Sequence, residues 1–97
     1  MSRTLTLNLN GVYFDQILAG EKVEEYRLES DYWRKRIARQ IYDEIVLLRG
    51  YPKGGGVEGE TRLSMPWRGW SLKTLTHEHF GPDPVTVYAI AVGYGGK

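Results

Sequence analysis

The sequence predicts a small α+β domain, built around a mixed β-barrel with two short helices. Leucines alternate with polar residues from Thr4 to Leu9, a pattern typical of a half-buried strand. The apolar run within Glu44 to Arg49 is short and partly β-branched, which favours a buried strand over a helix. Val85 to Val92 has the composition of a closing strand. With the intervening segments, the predicted order is β-α-β-α-β-loop-β-β.

Two helices are predicted between the first strand and the strand at Glu44 to Arg49. Asn10 can cap the first helix, which carries the apolar residues of Val12 to Leu18. Gly20 follows where a left-handed residue ends a helix. Val23 to Leu28 is then a strand, and the second helix runs from its cap at Ser30 through about Ala38.

The second half of the chain is less regular. Tyr51 to Gly56 contains a glycine triplet and predicts a flexible loop. A phosphate cradle is the weaker alternative, because the P-loop spacing and a following helix are missing. Arg62 to Leu75 favours β structure, with Pro66 and Gly69 indicating an edge or a bend.

Length and composition limit the possible functions. The 97 residues suffice for one domain, and 13 basic against 12 acidic residues argue against strong unspecific DNA binding. The absence of cysteine excludes disulfides, thiolate metal sites and cysteine nucleophiles. Without an apolar run of signal-peptide or membrane-span length, we expect a cytoplasmic protein with no membrane partner.

The most informative segment is Gly20 to Arg27. Alternate residues of a strand share a face, so Glu25 and Arg27 are expected on one face about 7 Å apart, with Lys22 entering from the turn. This predicts a carboxylate between two cations, and Glu24 on the opposite, solvent-exposed face. The group is either a surface ion-pair row or the lining of a cleft. In a cleft, Arg27 can hold phosphate or order the carboxylate, and Lys22 can act as a point charge, base or oxyanion stabiliser.

Aromatic residues and cations occur together in two places. Trp67, Arg68 and Trp70 form one group, and Tyr32 and Trp33 precede a basic stretch. Proteins that bind single-stranded nucleic acid use aromatic rings to stack on the bases and neighbouring cations to contact the phosphates. The alternative is that some of the tryptophans belong to the core. The basic stretch that follows is either a solvated helix face or a set of phosphate contacts, and consists of Arg34, Lys35, Arg36 and Arg39.

His77, Glu78 and His79 form a short group that resembles a metal site only superficially. Both imidazoles would face the same way, but two histidines and one acid are too few ligands. We therefore expect no metal and no cofactor. A turn or edge strand leading into Phe80 is the favoured interpretation.

The pattern Gly-x-Lys-x-x-Glu-x-Arg, placed after a strand and a short helix, resembles the signature of the ASCH domain family, within the PUA-like superfamily. The helix at Tyr13 to Ala19 and the closing strand at Val87 to Gly93 are also similar to ASCH elements. The resemblance covers nearly the whole chain, so residues 1–97 are expected to form a single ASCH-like domain. It implies a PUA-like β-barrel whose cleft, beside the first helix, binds RNA, a nucleotide or a modified nucleoside.

Two enzymatic activities are also implied by the resemblance. Some small bacterial ASCH proteins deacylate acetylated cytidine, and others have been assigned ribonuclease activity. In the amidohydrolase type, the motif lysine, here Lys22, works with a threonine where this chain has Glu25. A glutamate later in the chain completes that arrangement, and Glu78 is the best candidate, ahead of Asp83.

The leading hypothesis is therefore ligand binding in a cleft formed by the Lys22 to Arg27 strand and the Trp67 to Trp70 segment. The alternatives are a nucleoside amidohydrolase or a metal-independent ribonuclease that uses Lys22, Glu25 and Glu78. A further alternative is a non-catalytic module whose basic segment, Arg34 to Arg39, contacts a protein partner.

Overall fold

A computed structural model of the protein describes residues 3–94. Within this range the strands are β1 (Thr4–Leu9), β2 (Glu24–Leu28), β3 (Glu44–Arg49), β4 (Arg62–Pro66), β5 (Trp70–His77) and β6 (Gly81–Ala91). Helix α1 spans Gly11–Leu18, and α2 begins as an α-helix at Asp31–Trp33 and continues as a π-helix at Arg34–Ala38. Neither helix is long and apolar enough to cross a bilayer. The predicted order of elements is confirmed through β3, but the segment Arg62 to Leu75, predicted as one stretch of β structure with a bend, contains two separate strands, β4 and β5.

The six strands form two three-stranded sheets. The first has the order β1-β3-β4, with β1 parallel and β4 antiparallel to β3, and the second is antiparallel with the order β2-β6-β5. Within residues 3–94 no strand ladder joins the sheets, so the predicted closed barrel is wrong. The chain passes from one sheet to the other between β4 and β5, where Gly69 adopts a φ of 88° that disfavours other residues.

The core lies between the sheets and under the helices. The alternation predicted for β1 is confirmed, because its three leucines are buried and its threonines are exposed. Strands β3, β4 and β6 and both helices complete the core, whose fully buried side chains include Phe14, Ile17, Ile37, Ile45, Leu47, Leu63 and Ile90.

Helix α1 begins and ends as its sequence predicts. The Asn10 side chain accepts a hydrogen bond from the Val12 amide at 2.9 Å. Gly20 has a φ of 81°, and the amides of Glu21 and Lys22 both donate to the carbonyl of Gln16. This compact helix end sets the point from which Lys22 approaches β2.

Helix α2 differs from the continuous α-helix that was predicted. Its second half is wound more loosely, with the Arg39 amide donating to the Arg34 carbonyl five residues earlier. The Tyr42 hydroxyl donates to the Arg36 carbonyl, which gives that carbonyl a partner outside the helix. The π-helix still buries Ile37 against the core.

Strands β5 and β6 form a hairpin that is longer than the sequence suggested. Strand β6 begins at Gly81 rather than Val85, and the turn at Glu78–Phe80 is a single turn of 3-10 helix. An irregularity in the pairing between Leu75 and His77 bends the tip. The tip reaches α1, so that the His77 ring lies 5.8 Å from the Tyr13 ring, centroid to centroid.

The core and the surface offer a matched pair of isoleucines with which to test this packing. Ile45 of β3 is completely buried, whereas Ile41 is 82% exposed. We expect Ile45→Val to lower the free energy of unfolding by about 0.5–1.5 kcal/mol, because it removes one buried methylene group. Ile41→Val should change it by less than about 0.5 kcal/mol. Urea denaturation measures both, and equal effects would contradict the assignment of β3 to the core.

Candidate functional site

A cleft of about 280 Å³ runs along the free edge of β2. It is bounded by the end of β1, the start of α1, the tip of the β5–β6 hairpin and the first turn of α2. Among its lining residues are Asn8, Asn10, Tyr13, Lys22, Glu25, Tyr26, Arg27, Trp33, His77, His79 and Phe80. The three charged residues of the Gly20 to Arg27 motif therefore meet in one cleft.

Glu25 and Arg27 form a largely buried ion pair at this cleft. They face Ile90 and Tyr88 of β6, the side of the sheet that carries the core. Glu25 is only 6% exposed, and an Arg27 η-nitrogen donates to its Oε2 at 3.1 Å. The same nitrogen donates to the Asn8 carbonyl, also at 3.1 Å, which ties β2 to the end of β1. The pair is thus part of the cleft and not a surface row.

Burial raises the pKa of the Glu25 carboxyl above its ordinary value. The positive charges of Arg27, Lys22 and His79 act in the opposite direction, but loss of hydration is the largest effect. Within residues 3–94 the only hydrogen bond of the carboxyl group is the one from Arg27 to Oε2. Oε1 therefore remains able to accept a hydrogen bond from a ligand, or to exchange a proton with it.

Lys22 is held by aromatic rings. Its Nζ lies 4.5 Å from the centroid of the Tyr26 ring and 5.4 Å from that of Tyr13, distances at which an ammonium is attracted to the ring faces. In the described part of the chain it forms no ion pair with a carboxylate. The rings position the ammonium and leave its charge available at the cleft.

Arg27 has a similar aromatic neighbour on α2. Its Cζ lies 4.9 Å from the centroid of the Trp33 ring. Its Nε is buried and has no hydrogen-bond partner among residues 3–94. Trp33 is thus the tryptophan wall of the cleft, and the guanidinium next to it keeps one donor unused.

The two histidines lie at the rim of the cleft. Nδ1 of His77 accepts a hydrogen bond from the His79 amide at 3.1 Å, and both imidazole rings contact the Tyr13 ring edge-on. Across the described ranges, no three His, Asp or Glu side chains are grouped as a metal site would require. The hairpin tip instead adds aromatic surface to the cleft.

The Trp67 to Trp70 segment does not line the cleft, contrary to the expectation that it forms one wall. Trp67 packs against the core, and Arg68 donates to the Gly93 carbonyl at 2.6 Å. Trp70 packs edge-on against Tyr88, with the ring centroids 5.0 Å apart. Of the two interpretations of these tryptophans, the core position is the correct one for Trp67. The tryptophan that lines the cleft is Trp33 of α2.

Arg34 and Glu78 also lie outside the cleft. Arg34 forms ion pairs with Glu29 and Asp31, whose carboxylates raise its pKa. Its charge is thereby neutralised locally. Glu78 is exposed in the turn between the two rim histidines and is not a lining residue.

Glu24 lies on the face opposite Glu25, as the alternation predicts, but it is only partly exposed. Its carboxylate accepts a hydrogen bond from Lys73 at 2.6 Å, and this contact lowers its pKa. The two adjacent glutamates therefore have pKa values shifted in opposite directions by their different surroundings.

Sequence reasoning missed Tyr13, Tyr26 and Asn8 as lining residues. Alternation places Tyr26 on the face opposite Glu25, yet both border the cleft. The reason is that β2 is an edge strand, so a cleft along its free edge touches side chains of both faces. The only sequence signal was the clustering of tyrosines on either side of Lys22.

The chain has no significant match to a protein-family model, a curated protein or a solved structure. The likeness of the Gly20 to Arg27 motif to the ASCH signature stays a prediction.

The raised pKa of Glu25 predicts a pH-dependent stability. Between the ordinary value of 4.5 and the higher folded pKa, the folded protein holds a proton that the unfolded chain has released. Stability is therefore lost as pH rises through this window. Because Glu25→Gln removes the effect, we expect its melting temperature relative to the wild type to rise as pH increases above the ordinary Glu value of 4.5.

Glu24→Gln is the matched control. The pKa of the Glu24 carboxyl is lowered in the folded protein, so its carboxylate stabilises the fold when the pH is above the ordinary pKa of 4.5. This stabilisation is lost as the pH falls through the folded pKa. The melting temperature of Glu24→Gln relative to the wild type should fall slightly as pH rises. Thermal unfolding followed by circular dichroism measures both trends, and trends of the same sign would refute the assignment of the buried carboxyl.

Proposed function

We propose that the cleft binds a nucleoside or nucleotide, either free or as one residue of an RNA chain. The observation that carries this proposal is the combination at the cleft of one buried carboxylate with two cations that rest on aromatic rings. Such a site offers flat apolar surface, a hydrogen-bond acceptor and positive charge together. A nucleotide presents the complementary groups, which are a planar base, N–H donors and a phosphate.

The hydrogen-bonding groups suit the polar edge of a base. Oε1 of Glu25 can accept from an amino or imino N–H, and the side chain of Asn10, at the start of α1, lines the same cleft. A carboxylate that is poorly hydrated discriminates strongly, because a ligand without a donor would leave it unpaired. This favours a base that carries N–H groups on the edge that enters the cleft.

The cations supply the attraction for phosphate. Lys22 has no carboxylate partner in the described part of the chain. Arg27 is paired with Glu25 through one η-nitrogen and its Nε is buried, but its other η-nitrogen makes no hydrogen bond within residues 3–94. Both groups can donate to phosphate oxygens, Lys22 as a point charge and Arg27 through its planar fork.

The size of the cleft limits its occupant. At about 280 Å³ it lies just below the range of about 300–1,000 Å³ that is usual for ligand pockets. One base with its sugar is a reasonable occupant, and a polynucleotide would have to insert a single unstacked base. The ASCH-like motif supports the same proposal, and an ASCH protein of this kind would act in the cytoplasm.

The binding proposal is tested with Lys22→Gln. Calorimetric titration with the four ribonucleoside 5′-monophosphates and with acetylated cytidine should detect binding of at least one ligand to the wild type. Loss of a hydrogen bond to a charged group costs about 1.5–3 kcal/mol, so we expect the variant to bind about 10- to 100-fold more weakly. The control is Lys35→Gln, an exposed lysine of α2 that should not affect binding. Absence of binding to every ligand at millimolar concentration would refute the proposal.

The raised pKa of Glu25 favours a second candidate function, hydrolysis of an acylated nucleoside. A carboxyl of raised pKa in a cleft is suited to general acid–base catalysis. Glu25 would take a proton from water as the water attacks the acyl carbonyl, and would pass it to the departing amine. Lys22 would stabilise the oxyanion. The sequence left Glu25 and Glu78 as alternatives for this proton transfer, and the scheme uses Glu25 because Glu78 does not line the cleft.

Release of acetate from acetylated cytidine tests the hydrolase. Positioned acid–base groups contribute about 10²- to 10⁴-fold to rates, so Glu25→Gln should lose at least about 100-fold in kcat. Glu24→Gln should retain activity. If acetylated cytidine binds tightly but no acetate is released, the hydrolase proposal is wrong and the binding proposal stands.

A further inference from the structure

A second, smaller depression adjoins the cleft, and we name it the arginine groove. It has a volume of about 220 Å³ and lies between β1 and α2, where Tyr32, Arg36 and Tyr51 contribute its distinctive side chains. It shares Asn8, Arg27 and Trp33 with the cleft. A chain that leaves the cleft past Trp33 therefore enters the arginine groove directly.

Trp33 connects the two sites through its cationic neighbours. The Cζ of Arg27 lies 4.9 Å from the ring centroid and that of Arg36 lies 5.3 Å from it. Arg36 also lies 5.6 Å from the Tyr32 ring. The rings hold both guanidinium groups in place, so little side-chain freedom is lost when they bind an anion.

The charge of Arg36 is not neutralised within the described part of the chain. Its guanidinium donates to the Tyr32 hydroxyl at 2.9 Å and, at 3.5 Å, to the Thr6 carbonyl, but to no carboxylate. Arg34, two residues earlier, is paired with two acids. Of these two arginines, Arg36 is the one suited to a phosphate.

Tyr51 supplies an unpacked aromatic ring to the arginine groove. It is 89% exposed, which is unusual for a residue of this size. The turn that precedes it is nevertheless fixed, because the Gly50 amide donates to the Leu9 carbonyl at 2.9 Å and the Gly50 carbonyl accepts from the Asn8 side chain at 2.8 Å. Gly50 has a φ of 62°, which favours glycine at this turn.

We propose that the arginine groove is a second nucleotide site, and that the ligand is a single-stranded oligonucleotide. One base occupies the cleft, the adjoining phosphate lies against Arg27 and Arg36, and the next base stacks on Tyr51. This inference rests on the proposed function, because it places the first base in the cleft. A free nucleoside would fill only half of the continuous surface.

The test compares each of the four ribonucleosides with its homotrinucleotide, and repeats the trinucleotides in the deoxy series. The trinucleotide should bind the wild-type protein at least about tenfold more tightly than the nucleoside, since one stacked base and one phosphate contact are added. Preference for the ribose series identifies RNA as the source of the strand, and preference for the deoxyribose series identifies DNA. Either preference fits a second nucleotide site.

Two variants isolate the arginine groove. Tyr51→Ala and Arg36→Gln should each weaken trinucleotide binding at least about fivefold and leave nucleoside binding unchanged. Arg36→Gln should also lower by about one the slope of log Kd against log salt. The controls are Ile41→Ala and Arg39→Gln, both at exposed positions outside the groove, which should bind like the wild type.

The outcomes separate this inference from the function on which it depends. Nucleosides that bind as tightly as trinucleotides, with Tyr51→Ala and Arg36→Gln unchanged, overturn the second site and leave the cleft as a nucleoside site. Failure of both nucleosides and trinucleotides to bind overturns the two proposals together. Because Tyr51 makes little contact with the fold, its variant reports on binding even if Arg36→Gln is unstable.

Discussion

The burial of Glu25 is the constraint on which the rest of the site depends. A carboxylate on the core-facing side of a strand is costly, and the guanidinium of Arg27 compensates only part of that cost, since the pKa of the carboxyl stays raised. Arg27 in turn bonds to the carbonyl of Asn8, so one ion pair joins the free edge of β2 to the end of β1. A fold selected for stability alone would place an apolar side chain here. The retained charge is best understood as a property of the cleft.

Aromatic rings hold the cations at the cleft and the arginine groove, whereas carboxylates pair with Arg34 and Lys73 elsewhere on the protein. Arg34 and Lys73 are neutralised by acids, whereas Lys22 and Arg36 are held over rings with no acid in contact among residues 3–94. A ring orients a cation without cancelling its charge. The net charge of the chain is +1, yet this side of the molecule keeps cations that remain available to an anion. Local pairing therefore matters more for ligand binding than the overall balance does.

The hairpin of β5 and β6 and the π-helical part of α2 shape the two ends of this surface. The bend at the hairpin tip brings two imidazoles to Tyr13, and the π-helical part of α2 carries Arg36, whose guanidinium lies over the Trp33 ring. Both features depart from regular geometry, and such departures concentrate near functional sites. The cleft and the arginine groove are thus built by elements from distant parts of the sequence around the short strand β2.

The sequence by itself determined the order of elements through β3, the caps of α1, the buried face of β1 and the limits of β3, because these follow from alternation, capping and local backbone preference. It also placed Glu25 and Arg27 on one face, since residues two positions apart on a strand point to the same side of the sheet. Only the tertiary structure decided that this face is buried, that Trp33 and not the Trp67 to Trp70 segment forms the wall, and that the sheets do not close into a barrel. These depend on which strands become edges and where the hairpin bends, and non-local packing settles both. Local patterns specify what a side chain can do, and the packing of distant segments specifies what it meets.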